Sequence, residues 1–279
     1  MDRLLAAFVV VLGLLMGAQA RAAEEYAPVV GQAGKDVVWV PTPEALVDRM
    51  LEMAKVTSKD YVMDLGSGDG RIAIAAAKKY GANAMGIEYN PKMVELSKRN
   101  AQEAGVANKV KFVEGDLFEA DLGKADVITM YLLPRINMQL RPKLLALKPG
   151  TRIVSHAFDL GDWKPDEAAV VDGREAYLWI VPAKVAGKWR LSYPDDGGTR
   201  PPVELDLSQH YQIIWGNARV GERVLDIARP SLSGTQIRFG LGEPESRLEY
   251  SGEVKGKRME GTVVTKEGNT LRWVATRVQ

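Results

Sequence analysis

Val62-Met63-Asp64-Leu65-Gly66-Ser67-Gly68-Asp69-Gly70 runs from an apolar strand pattern directly into three glycines at alternate positions. Glycines so placed let the backbone turn sharply and approach a ligand without Cβ interference. Asp64 stands inside the apolar run, where an unpaired carboxylate is costly to bury, so a functional reason for it is expected. A dinucleotide fingerprint, G-x-G-x-x-G, would place its third glycine at position 71. Arg71 stands there instead, which argues against a nicotinamide-dependent oxidoreductase.

Working outward, strand and helix patterns alternate on both sides of this turn. Upstream, Thr42 is expected to cap a helix, with Pro43 at its first position and Glu44 at the positive end of its dipole. Leu46, Val47, Met50, Leu51 and Ala54 then share one helical face. Downstream, Arg71–Tyr80 reads as a helix closed by Gly81, and Ala84–Glu88 as a strand. Asn90-Pro91 opens a further helix that Gly105 ends. Val110–Val113, Asp126–Tyr131 and Thr151–His156 are strands, with a helix over Arg135–Leu147 stopped by Pro149-Gly150. Ala168–Val171 and Ala176–Val181 close the series as a strand pair around Asp172-Gly173, with no helix between them. Such alternation implies a doubly wound α/β fold with a mostly parallel, seven-stranded, Rossmann-like sheet, one strand of the closing hairpin running antiparallel.

After Pro182 the pattern changes to short β-branched and aromatic runs broken by Gly, Pro, Asp and Asn. These runs are Lys188–Tyr193, Val203–Leu207, Tyr211–Trp215, Arg223–Ile227, Gln236–Leu241, Arg247–Tyr250, Met259–Thr265 and Thr270–Val278. Residues 184–279 are therefore expected to form a small all-β sandwich or barrel, following a catalytic domain over residues 24–183.

Two further acids follow strand ends. Glu88 closes the second strand, where a carboxylate can accept from both hydroxyls of a ribose. Asp116, beyond the third strand, is placed to accept from an exocyclic adenine amine. Open α/β sheets bind ligands at this carboxyl edge. Asp64-Leu65-Gly66-Ser67-Gly68-Asp69-Gly70, Glu88 and Asp116 together resemble the cofactor motifs of class I, seven-stranded S-adenosylmethionine-dependent methyltransferases, over about residues 37–183. Within that group, Val40-Pro41-Thr42-Pro43, Asp64–Arg71, Gly86-Ile87-Glu88 and Leu147–Val154 resemble the lysine methyltransferases that modify the c-subunit of ATP synthase, and their bacterial relatives. The resemblance implies S-adenosylmethionine as cofactor and a lysine amine of a protein as acceptor, membrane proteins included. It places Pro41 and Thr42 in a segment over the cofactor, and it places Asn90 and Leu117 with the acids and glycines around it. Tyr131-Leu132-Leu133-Pro134 becomes the acceptor-side loop, with Tyr131 the candidate catalytic residue.

Transfer from a sulfonium mainly needs an aligned neutral nucleophile. For a lysine of reference pKa about 10.4, exposing the neutral amine at pH 7 costs roughly 4–5 kcal/mol. Burial and a nearby sulfonium lower that cost, so no strong general base is demanded. His156 follows the fifth strand and is expected to be a structural hydrogen-bonder; His210 lies in the β region. No acidic cluster suggests a metal. The loop after the fourth strand lacks the Asn-Pro-Pro-Tyr type of motif that methylation of amides or bases uses.

The formal net charge of +1 shows no bulk footprint for nucleic acid, and the absence of cysteine removes disulfides and thiolate chemistry. Met1-Asp2-Arg3, the apolar run Leu4–Met16 and the small residues through Ala23 describe an export signal, with an uncleaved anchor as the alternative. Export to the periplasm or beyond, or membrane association through this segment, is therefore expected. Two competing readings remain: an exported cofactor-binding scaffold without transfer, and a small-molecule methyltransferase.

Overall fold

A computed structural model describes residues 26–194 and 200–278. The export signal expected in residues 1–23 lies outside them. Among the described residues no helix is long and apolar enough to cross a membrane.

The first domain is built on seven strands: β1 (Tyr61–Leu65), β2 (Asn83–Glu88), β3 (Val110–Glu114), β4 (Val127–Met130), β5 (Arg152–His156), β6 (Glu167–Val171) and β7 (Arg174–Ile180). They lie in the order β3-β2-β1-β4-β5-β7-β6. β1 to β5 are mutually parallel, and β7 runs antiparallel to both β5 and β6, as the helix-free closing pair requires. The order reverses between β1 and β4, which creates the crevice where open α/β sheets bind ligands.

Side chains alternate across these strands with period two. Val62 and Val127 join the core under α1 (Glu44–Met53), α2 (Arg71–Tyr80) and α3 (Pro91–Glu103). Met63, Leu65, Ile128 and Met130 point the other way, into a core with Ile136, Leu140 and Leu144 of α4 (Pro134–Leu145), sealed by Trp163 and Trp179. The winding is thus uneven, with three helices on one face and α4 with loop aromatics on the other. One local expectation is corrected: Thr42 does not cap α1. The N-cap is Pro43, without a side-chain bond, because the Thr42 hydroxyl is engaged with His156.

The second domain is one antiparallel sheet of nine strands: β8 (Gly187–Ser192), β9 (Val203–His210), β10 (Ile213–Val220), β11 (Arg223–Asp226), β12 (Ala228–Ser233), β13 (Gln236–Leu241), β14 (Leu248–Lys255), β15 (Arg258–Val264) and β16 (Thr270–Arg277). Its end strands are β11 and β12, yet only Ile227 separates them in the chain. The sheet therefore curls until its ends meet; at the join the Ile227 N–H donates to the Gly216 carbonyl at 3.0 Å, extending the β10–β11 ladder by one step. Strand β12 is not evident in the sequence pattern because Arg229-Pro230 interrupts it; the structure accommodates the proline on an edge strand at an irregularity between Ala228 and Ser231. Trp189, Ile237, Phe239, Met259 and Trp273 fill the interior. Gly252 and Gly261 face each other in register, and a Cβ at Gly252 would come within 2.5 Å of the Trp273 ring.

The absence of a side chain at that crossing is a packing requirement. Gly252→Val is expected to destabilise the β domain by about 3 kcal/mol through overpacking, measured as a lower urea midpoint in tryptophan fluorescence.

Candidate functional site

The β1–α2 turn is pinned from β2. The N–H groups of Gly66 and Ser67 donate to the Ile87 carbonyl at 2.9 and 3.0 Å. The Glu88 carboxylate accepts the Gly68 N–H on one oxygen (3.0 Å) and the Asn90 N–H on the other (2.9 Å). Two turns from neighbouring strands are thereby fixed to one carboxylate, whose remaining lone pairs are available to hydroxyl donors. Asn90 also caps α3, its side chain accepting from the Lys92 N–H. Gly66, Gly68 and Gly70 all have left-handed φ. Gly70 faces away from the cleft, where a Cβ would sit 2.5 Å from Phe112; its role is to let the helix close on the sheet.

Asp64 is buried, and its partner is set by strand register: it lies opposite Thr129 and accepts from that hydroxyl at 2.7 Å. Burial, opposed by that hydrogen bond and reinforced by the charges of Asp69 and Glu88, pushes the Asp64 carboxyl up to about 7. Asp69 forms a fork with Arg71, Nε to Oδ1 at 3.0 Å and Nη2 to Oδ2 at 2.6 Å. Arg71 also donates to the Thr42 carbonyl at 3.0 Å, so the residue that breaks the dinucleotide pattern ties the turn to the Pro41–Pro43 segment.

The cleft, enclosing about 1290 Å³ of empty space including its open mouth, is lined by every expected cofactor-side residue except Gly70. Pro41, Thr42, Ser67, Asp69, Asn90 and Leu117 border it together with the acids. Its fourth wall is a segment whose sequence carries no regular period. Residues 31–39 form a tight hairpin, with the Gly31 N–H on the Trp39 carbonyl and the Trp39 N–H on the Gln32 carbonyl. Trp39 places its indole against the glycine turn, so close that a Cβ at Gly68 would lie 2.7 Å from Nε1. Lys35 binds the Asp116 carboxylate at 2.6 Å and sits 4.8 Å over the Tyr89 ring. Asp116 also accepts the Phe118 N–H at 2.8 Å; its outer oxygen, expected to be free for an amine, is shared with Lys35. Only the adjacent Lys35-Asp36 charge pair marks this segment in the sequence.

The opposite side of the cleft is uncharged: Tyr131, Leu132, Leu133, Ile136 and Phe158. Tyr131 stacks on His156 with ring centroids 3.7 Å apart and on Phe158 at 6.3 Å. His156 is buried behind Tyr131, its Nδ1 3.0 Å from the Thr42 hydroxyl. Burial, with a lesser contribution from Arg174, pushes its pKa down to about 4, so the imidazole is neutral and structural at physiological pH. Among the described residues no group of three or more His, Cys, Asp or Glu is arranged to hold a metal ion.

A family model described as the ANTKMT methyltransferase domain matches residues 64–167. A protein-lysine N-methyltransferase of Saccharolobus islandicus is 44% identical over 151 residues, covering 52% of this chain and 94% of that protein. The chain belongs to the S-adenosylmethionine-dependent protein-lysine methyltransferase family. The mouse lysine N-methyltransferase of the ATP synthase c-subunit is 36% identical over 129 residues, which are 46% of this chain and 51% of that protein, so the chain spans about half the length of that relative. A solved structure named as an RNA methyltransferase from Salinibacter ruber, in complex with S-adenosylhomocysteine, is 52% identical with a TM-score of 0.51; it covers 52% of this chain and 96% of its own. The cofactor of this methyltransferase is S-adenosylmethionine, and the residues fit it. The Glu88 carboxylate keeps lone pairs for sugar hydroxyls, Asp64, Asp69 and Asp116 border the same cleft, and the buried Ser67 hydroxyl has no partner among the described residues.

The raised Asp64 carboxyl makes stability depend on pH. A folded-state pKa above the unfolded value contributes stability that is present at low pH and lost as pH rises through about 7. Between pH 6 and pH 8 the methyltransferase should lose about 1 kcal/mol of unfolding free energy that Asp64→Asn does not lose, measured by urea denaturation of both proteins.

Proposed function

We propose that this methyltransferase transfers a methyl group from S-adenosylmethionine to a lysine side-chain amine of a protein, its acceptors including membrane proteins, and that it does so after export directed by residues 1–23. The observation that carries the acceptor class is the uncharged wall of Tyr131, Leu132, Leu133 and Phe158. An ammonium brought against that wall loses hydration without gaining a counter-ion, which favours the neutral amine that transfer needs. The cofactor supplies a methyl already activated on a sulfonium. The chain supplies position: Glu88 would hold the sugar hydroxyls, Asp116 and Lys35 would border the base, and Asp64 and Asp69 would border the tail that carries the sulfonium. Gly66, Ser67 and Gly68 keep the backbone low enough to admit the ligand. Tyr131, backed by a neutral His156, orients the acceptor without taking its proton.

An RNA acceptor is the second reading, favoured by the name of the Salinibacter structure. Charge pairing around the cleft opposes it: Lys35 and Arg135 are paired with the cleft-lining Asp116 and Asp36, and Arg141 of α4 with Asp162. These pairings neutralise the cations that a phosphate backbone would need.

Three measurements test the proposal. Calorimetry with S-adenosylmethionine should give about 10- to 100-fold weaker binding for Glu88→Ala, which loses charge-assisted hydrogen bonds, and no binding for Gly68→Arg. Membrane and periplasmic extracts incubated with enzyme and methyl-labelled cofactor should then yield protease-sensitive label that mass spectrometry places on lysine. RNase-sensitive label would select the RNA reading, label confined to small molecules a small-molecule enzyme, and tight binding without any label a scaffold. Cell fractionation with sequencing of the mature N-terminus tests export.

A further inference from the structure

The β domain reaches the acceptor side of the cleft through one turn. Between β9 and β10, Tyr211 adopts a left-handed backbone with φ 54°, a conformation unfavourable for a non-glycine residue that persists only where its surroundings enforce it. Its ring stacks on the buried Trp163 at 5.8 Å, and its hydroxyl donates to Asp162 at 3.1 Å. Gln212 beside it accepts the Trp163 indole N–H at 3.1 Å and donates to the Lys164 carbonyl at 2.7 Å. Asp162 and Trp163 belong to the loop after β5, whose other end is Phe158 on the acceptor wall.

The same turn grips the second element of that wall. Arg141 of α4 lies over the Tyr211 ring at 5.9 Å, pairs with Asp162 and donates to the Leu160 carbonyl at 2.9 Å. One turn earlier, Asn137 donates to the Phe158 and Asp159 carbonyls at 3.1 and 3.2 Å. α4 begins at Pro134, directly after Tyr131-Leu132-Leu133. The loop leaves β5 through Ala157, itself left-handed with φ 65°, so its path is set by these outer contacts as well as by the strand.

We propose that Tyr211 and Gln212 are positioning residues for methyl transfer: the β domain holds Phe158 and Tyr131 at the spacing that admits the acceptor amine, and leaves cofactor binding alone. This inference rests on the reading of the Tyr131–Phe158 side as the acceptor side. Every contact named runs to that side, and none runs to Glu88, Asp116 or the glycine turn.

The test uses the full chain with Tyr211→Gly, which removes ring and hydroxyl but relieves the left-handed strain, and with Gln212→Ala and Tyr211→Phe. The probe is methyl-labelled cofactor with a titrated membrane extract as acceptor. Tyr211→Gly and Gln212→Ala should raise the half-saturating extract concentration at least about tenfold, leave the S-adenosylhomocysteine Kd within about twofold of wild type, and speed amide exchange over residues 157–163. Tyr211→Phe, which keeps the stack, should recover most of the acceptor affinity. Wild-type half-saturation in Tyr211→Gly and Gln212→Ala would overturn the inference, as would parallel loss of cofactor affinity, which marks a purely structural contact. A wild-type enzyme that labels no macromolecule would instead remove the acceptor reading beneath it.

Discussion

One carboxylate holds the site together. Glu88 accepts the Gly68 N–H from the β1–α2 turn and the Asn90 N–H from its own β2–α3 turn, so the loop at the switch point of the sheet and its neighbour share an anchor. A charged acceptor binding two backbone donors is stronger than a neutral one, and it leaves lone pairs facing the cleft. Without it the glycine turn keeps its backbone freedom but loses its reference to the sheet. Asp69–Arg71–Thr42, Trp39 against Gly68 and Lys35 with Asp116 are all built around that fixed turn.

The cleft divides its chemistry by side. Carboxylates and the strap over residues 31–39 gather at the cofactor end, while the acceptor wall carries rings and aliphatic chains with His156 kept neutral behind them. A fixed negative charge on the acceptor side would hold an amine as ammonium. Keeping the anions on the far side favours the nucleophilic form.

Much of this was legible in the sequence because its signals are local. The period-two strands, Asn90 at its cap and the glycine turn each depend on residues within a few positions, and all stand where the pattern puts them. Signals that depend on distant partners were not legible. Thr42 has the chemistry of a helix cap but is claimed by His156, 114 positions away. Asp116 reads as a free acceptor, yet Lys35 reaches it from a segment with no periodicity. Strand β12 hides behind a proline that only an edge position tolerates. Tyr211 reads as the start of a strand over Tyr211–Trp215, yet it stands in the turn before β10, which begins only at Ile213; its left-handed backbone and its hold on Trp163 exist only once two domains meet.

The central claim is that Glu88 and the glycine turn form the sugar-binding edge of the cofactor site. A crystal structure of the full chain with S-adenosylhomocysteine tests it directly. The account predicts both ribose hydroxyls within hydrogen-bond distance of the Glu88 carboxylate, with the Gly68 N–H still on that carboxylate. A ribose seated elsewhere, with Glu88 turned to solvent, would contradict it.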